Sequence, residues 1–367
     1  MKKRIALLIA ILLALGLLCS AALAARMERY ANADQYIAGD FDYRAADVQR
    51  VEIHWIAGSV TLTQSSADTL RASEIASGVS DELQMRHLLL DGVLYIQFCQ
   101  AGTQYSGLFS TPQKALTVEI PAGIALSVET RSADIRLGKH QLTDVTLQST
   151  SGSIQAEHLI AEQFSATSTS GSLNIAAADA LHAMTLHSTS GSIEAGGLRA
   201  DTLTMNTTSG SVHAQALAAA ARIQAESTSG SINLEQLQSP ALKIETTSGS
   251  IAIGLRGSEK ADIRSTSGSA QLALHNNLGA TLDYRSTSGC FRCDDYRTVN
   301  DQITLGDGAC KLRVRTTSGN LEITQPRVCL PLPQRASRTP RCWCSYTTRP
   351  SGRIVNAMAN ARPMAAR

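Results

Sequence analysis

Through the middle of the chain, apolar residues return at fixed distances from a recurring Thr-Ser-Gly-Ser step. Its glycines are Gly152, Gly171, Gly191, Gly210, Gly230, Gly249, Gly268, Gly289 and Gly319, and successive gaps are 19, 20, 19, 20, 19, 19, 21 and 30 residues. Aligned on glycine, four columns are apolar. Seven before it stand Val145, Phe164, Met184, Leu203, Ile223, Leu242, Ala261 and Leu282; five before stand Leu147, Ala166, Leu186, Met205, Ala225, Ile244, Ile263 and Tyr284. Two after it stand Ile154, Leu173, Ile193, Val212, Ile232, Ile251, Ala270 and Phe291; four after stand Ala156, Ile175, Ala195, Ala214, Leu234, Ile253, Leu272 and Cys293. Alternation of this kind marks β-strands. A fixed period near twenty marks a solenoid whose every repeat is one coil.

The parity of the columns changes across the motif, from odd offsets before glycine to even offsets after it. Side chains alternate faces along a strand, so the change requires a bend, which the pattern places at glycine. Glycine suits a corner because it takes positive φ without a Cβ penalty. The predicted fold is all-β, a single-stranded β-solenoid of 19–20-residue coils. At about 3.3 Å per strand residue each coil holds two or three short sides, with rungs roughly 4.8 Å apart. The serine directly before glycine shares the inward parity and is expected to bond backbone inside the corner. The threonine two before glycine falls on the outward face with the polar column Gln148, Thr167, His187, Asn206, Glu226, Glu245, Arg264 and Arg285. The ladder Thr150, Thr169, Thr189, Thr208, Thr228, Thr247, Thr266 and Thr287, continued at Thr317, is therefore the expected binding face, and the motif glycines are the expected structural corners.

Outside the coils the pattern changes. Residues 1–25 join Lys2, Lys3 and Arg4 to an apolar run, which predicts an N-terminal hydrophobic helix, either a cleaved signal peptide or an uncleaved membrane anchor. In both cases the N-terminal segment contacts the membrane and the body is exported, either secreted or membrane-anchored. Residues 26–46 read as a polar spacer and 47–120 as an N-terminal β cap, in which Val51–Leu62 is an early, degenerate copy of the repeat. The solenoid occupies 121–324. Residues 325–367 hold six of the nine prolines and keep no alternation, so no strand is expected there. This irregular basic tail is either a frameshifted reading of the last coil or a native extension.

Composition sharpens this picture in two ways. Only 4% of residues are aromatic, so the interior must be built from Ile, Leu, Val and Ala. The formal charge of +2 comes from the tail, which has eight arginines and no acidic residue; the remainder, 25 basic against 31 acidic, carries −6. That balance does not support nucleic-acid binding.

Candidate chemistry is sparse. Outside the leader and tail the cysteines are Cys99, Cys290, Cys293 and Cys310. In an exported chain, a disulfide among Cys290, Cys293 and Cys310 is expected, with buried thiols as the alternative. A lone Cys-x-x-Cys without a second ligand pair does not make a metal site. No histidine pair, nucleophile elbow or phosphate-cradling loop occurs, so no cofactor, metal or catalytic residue is expected. Glu226 and Glu245 stand on neighbouring rungs of one column, as a carbohydrate-active enzyme would place paired carboxylates, but the rest of the column does not continue the pattern. One threonine column beside charged residues is also not the flat double array that an ice-binding surface needs.

Ile56-Ala57-Gly58-Ser59-Val60, the step Val118-Glu119-Ile120-Pro121-Ala122-Gly123 and the ensuing Thr-Ser-Gly-Ser copies resemble the bacterial putative-adhesin family, a domain of unknown function, over residues 47–324. The resemblance implies an exported β-solenoid at the cell envelope and supplies no catalytic residues. The expected function is non-enzymatic, an envelope or surface protein presenting its repetitive face to a cell-wall glycan or surface protein. The alternative is an extracytoplasmic module in envelope-stress sensing.

Overall fold

The structure, a computed structural model, describes residues 27–105, 112–275, 278–293, 296–299, 302–325 and 342–346. The N-terminal hydrophobic segment and most of the proline-rich tail lie outside these residues. Among the described residues no helix is long and apolar enough to cross a membrane. The chain forms two compact units, residues 1–152 and 153–367.

The second unit is a parallel β-solenoid. Strands Ile154–Ser168, Leu173–Ser188, Ile193–Thr207 and Val212–Ser227 each run from one Thr-Ser-Gly corner to the next. They pair in parallel with like offsets in register: Ile154 with Leu173, Leu173 with Ile193, Ile193 with Val212, Val212 with Ile232. The four apolar columns of this unit are buried apart from Tyr284, which is half-buried. Two further inward columns complete the core, seven after glycine at Leu198, Leu217 and Leu237 and nine after it at Ala180, Ala200 and Ala219. The phase therefore switches a second time, between four and seven after glycine, and each coil has three short sides. The sequence columns missed this side because alanine fills half of it.

The 30-residue gap has a topological cause. After Phe291 the chain forms antiparallel strands Arg297–Val299 and Gln302–Leu305, and the second pairs with the start of Ala280–Cys293. Strand Cys310–Ser318 then inserts between Lys260–Ser265 and Ala280–Cys293, parallel to both. Spatial order is thus Gly268, Gly319, Gly289. Against the expectation of a strandless tail, Cys342–Tyr346 pairs antiparallel with Ser288–Arg292. Antiparallel strands therefore border the Ala280–Cys293 rung, occupying backbone that an open solenoid end would leave as a template for aggregation.

The first unit closes in a similar way. Arg50–Trp55 lies between Val93–Gln97 and Ala125–Thr130, and Gly58–Gln64 lies between Lys114–Ile120 and Asp134–Gln141. The early repeat copy is therefore covered by a later rung, which is bordered by antiparallel Thr69–Ile75 and Arg86–Leu90. The region read as a spacer is structured: Ile37–Ala38 pairs with Arg86–Leu90, and Phe41–Arg44 with Thr69–Ile75. Phe41 and Tyr43 pack on the His87 ring, with centroids 4.4 and 5.7 Å away, which ties these short strands down.

Candidate binding edge at the Thr-Ser-Gly corner

The six corners from Gly171 to Gly268 are each built around a buried hydroxyl that the sequence reading overlooked, three residues before glycine. Ser168, Ser188, Thr207, Ser227, Thr246 and Ser265 are all buried. The hydroxyl of each accepts the amide of its own coil's glycine, at 2.8–3.1 Å from Gly171, Gly191, Gly210, Gly230, Gly249 and Gly268. The same oxygen donates to the preceding coil's glycine carbonyl: Ser188 to Gly171 at 3.2 Å, Thr207 to Gly191 at 3.1 Å, Ser227 to Gly210 at 3.1 Å and Thr246 to Gly230 at 3.1 Å. One side chain thus satisfies two buried backbone groups in two coils, which otherwise would cost free energy unpaired.

The glycines are needed for space. Positive φ occurs in the early copy at Gly58 but at none of the nine motif glycines, which corrects the conformational expectation. A Cβ on Gly191, Gly210, Gly230, Gly249 or Gly268 would overlap the carbonyl oxygen of the glycine one rung before. At the first coil Ala133 takes the glycine place, and there Thr130 donates instead to the carbonyl of Ala133 in its own coil, at 2.8 Å.

The bend lies at the two residues before glycine, not at glycine. From the Gly152 copy to the Gly268 copy, offsets three before and zero are both buried, and the Thr-Ser pair between them is exposed in every clear copy. Thr150, Thr169, Thr189, Thr208, Thr228, Thr247, Thr266, Thr287 and Thr317 are all exposed. The serines directly before glycine, assigned inward from parity, are exposed too: Ser170, Ser190, Ser209, Ser229, Ser248 and Ser267. Two adjacent outward residues cannot both obey strand alternation, so the corner itself resets the phase.

A third hydroxyl follows glycine. Ser192 Oγ accepts the amide of Ser211 at 3.2 Å, Ser211 Oγ that of Ser231 at 3.3 Å, and Ser231 Oγ that of Ser250 at 3.3 Å. Corner amides also pair between rungs, as Ser190 N–H with the Thr169 carbonyl and Ser209 N–H with that of Thr189, both at 2.9 Å. With these backbone donors occupied, the edge offers the outside threonine and serine hydroxyls, repeated every rung and carrying no charge.

The other sequence candidates take different places. Glu226 and Glu245 are neighbours across paired strands, but Lys243 lies between them, its Nζ 2.5 Å from Glu226 and 3.0 Å from Glu245. Hydrogen bonds donated to Glu226 first and Glu245 second hold the Lys243 ammonium above its ordinary pKa. Arg264 reaches Glu245 at 3.2 Å, so the pair belongs to a surface ion network. The disulfide expected among Cys290, Cys293 and Cys310 is absent: Cys293 and Cys310 are buried thiols, and Cys290 is bonded to a cysteine outside that trio. Cys293 lies in an inward column and Cys310 at the buried start of the inserted strand. No group of three or more potential metal ligands occurs among the described residues.

The first unit holds a buried ion pair that sequence reading did not single out. The Lys114 side chain is fully buried and its ammonium contacts Glu74, whose side chain is 7% exposed. Nζ also donates to the carbonyls of Leu83, at 2.7 Å, and Phe98. It lies 4.1 Å from the Phe98 ring centroid and 4.8 Å from that of Trp55. Burial lowers the Lys114 pKa and outweighs the pull of Glu74. Burial likewise pushes the nearby Cys99 thiol up to about 11, which leaves it unreactive. The signal was parity: Lys114 is in phase with Leu116, Val118 and Ile120, and Glu74 with Leu70 and Ala72.

These features define a β-solenoid repeat protein with a hydroxyl-lined corner. The Toastrack DUF4097 family model matches residues 48–193 and again 178–324, and the chain belongs to that family. Comparison with curated proteins finds no match. Among solved structures, the chain is similar to a putative adhesin from Bacteroides fragilis at 20% identity, covering 60% of this chain and 95% of that one with a TM-score of 0.37. A putative adhesin from Parabacteroides merdae is 10% identical, with 82% and 100% covered and a TM-score of 0.37. A putative cell adhesion protein from Clostridium sporogenes is 9% identical, with 79% and 99% covered and a TM-score of 0.22.

Proposed function

We propose that this protein is a non-enzymatic, extracytoplasmic surface protein whose Thr-Ser-Gly edge binds a neutral cell-wall glycan. The observation that carries the reading is the uncharged hydroxyl array at the corner. Five successive coils, those of Gly191 to Gly268, present an exposed threonine and an exposed serine with their backbone amides already engaged. Hydroxyls both donate and accept, so they match sugar hydroxyls and acetamido groups, and a regular array favours a repeating polymer over a single small molecule. The leader at residues 1–25 fits export of such a body.

The test is binding of the full chain to insoluble peptidoglycan and to soluble neutral glycans, with product release monitored in parallel. Binding without turnover, weakened in Thr208→Val/Thr228→Val with unchanged melting, supports the reading. Release of shortened glycan, or equal binding by that variant, overturns it.

A further inference from the structure

A second face of the solenoid differs in charge from the corner. On paired strands Lys260–Ser265, Cys310–Ser318 and Ala280–Cys293, the outward positions form three registered rows: Lys260, Lys311, Thr281; Asp262, Arg313, Asp283; Arg264, Arg315, Arg285. Six cations face two carboxylates in a chain whose portion before the tail is net acidic. Both carboxylates are committed. Asp262 binds Arg264 at 2.9 Å, and Asp283 binds Arg285 at 3.3 Å and Arg313 at 3.4 Å. Glu245 on the adjoining strand is taken up by Lys243 and Arg264. Glu259, beside Lys260 at the margin of the face, makes no ion pair among the described residues. Lys260, Lys311 and Arg315 likewise have no carboxylate partner there, and Arg315 Nε is buried without a hydrogen bond.

We propose that this face binds a linear anionic glycan, one carrying carboxylates or phosphates along its length. Arg264, Arg315 and Arg285 stand in one row on adjacent rungs, about 4.8 Å apart. Like charges at that separation repel, and a row of them is relieved by an anion lying across it. The insertion of strand Cys310–Ser318 creates the row, because it brings Arg313, Arg315 and Lys311 between two strands that already carry arginine. The surface is the flat outward side of a sheet, so a single small anion meets few groups at once, whereas a polymer engages several rungs together. A polysaccharide fits better than a nucleic acid because the nine outward positions include no aromatic side chain on which a base could stack.

The inference is independent of the hydroxyl edge and its experiment separates the two. The probes are polygalacturonate, neutral dextran and single-stranded DNA, titrated against the full chain. Polygalacturonate is expected to bind and to weaken by about tenfold or more between 50 and 200 mM salt, as a few released counterions require. Lys260→Glu/Lys311→Glu is expected to lose about tenfold in affinity, while Thr208→Val/Thr228→Val binds polygalacturonate as wild type does. Lys260→Gln/Lys311→Gln, which changes charge without reversing it, is the second pair should the first disturb folding. Wild-type affinity in both lysine pairs places the attraction elsewhere, in the arginine-rich tail for instance, and overturns the proposal. So does equal binding of dextran, or preference for single-stranded DNA.

Discussion

The carbonyl oxygen of Gly191 occupies the place where a Cβ on Gly210 would have to stand. Because this contact is backbone against backbone, no rotamer change relieves it, and the rungs must separate to admit even a methyl group. Gly210→Ala is expected to destabilise the second unit by about 2 kcal/mol or more, as overpacking of a close-packed interior does. Chemical denaturation followed by far-UV circular dichroism measures it. Gly197 has no atom near its hypothetical Cβ, so Gly197→Ala is the control expected to leave stability unchanged or slightly higher. Equal stability of Gly210→Ala and wild type would remove the steric account.

Ser188 makes a sharper test of the corner, because its hydroxyl serves two coils. Ser188→Ala leaves the buried Gly191 amide and Gly171 carbonyl without this partner. The expected loss is about 1–3 kcal/mol. Thr207, Thr246 and Thr316 fill the same column, so Ser188→Thr should retain most of the stability. Alanine and threonine variants of equal stability would show that the hydroxyl bridge contributes nothing.

Much of the solenoid was legible because its columns keep one polarity, apolar or polar, repeated in phase. The four apolar columns, the exposed threonines and the order of the rungs up to Gly268 followed from period and parity. The corner was misread where parity fails: two consecutive outward residues reset the phase, so Ser190 and its equivalents were turned inward and Ser188 and its equivalents were passed over. Spacing also could not reveal that the Gly319 rung stacks on Gly268, since strand insertion depends on pairing and not on chain order. The exposed hydroxyl edge was visible as a ladder. The cationic face was hidden, because its rows join residues far apart in the chain, as Lys260 with Lys311 and Arg264 with Arg315.

Lys114 and Glu74 form an ion pair that each needs in order to remain buried. Lys114→Met leaves the Glu74 carboxylate with the Met85 amide, at 2.8 Å, but without its cation. The expected cost is about 3–5 kcal/mol in the first unit. Adding Glu74→Gln removes the stranded charge and should recover a large part of that loss. Thermal unfolding of the two single variants and the double variant measures the coupling; additive effects would mean that the two groups do not support each other.

His87 makes the first unit sensitive to acid. Burial lowers its pKa from 6.5 to about 4, and its Nδ1 lies 3.0 Å from the Tyr43 hydroxyl. Between those two values the unfolded chain binds a proton that the folded chain refuses, so stability falls as pH drops from about 6.5 toward 4 and changes no further through this group below that. The full effect is on the order of 3 kcal/mol. His140, also buried and lowered by burial, adds to the slope in the same direction. His87→Gln keeps a side chain able to bond Tyr43 but does not titrate. Its stability, followed by denaturant titration from pH 7 to pH 4, should decline less steeply than that of wild type. An unchanged slope would mean that His87 is protonated without cost in the folded state.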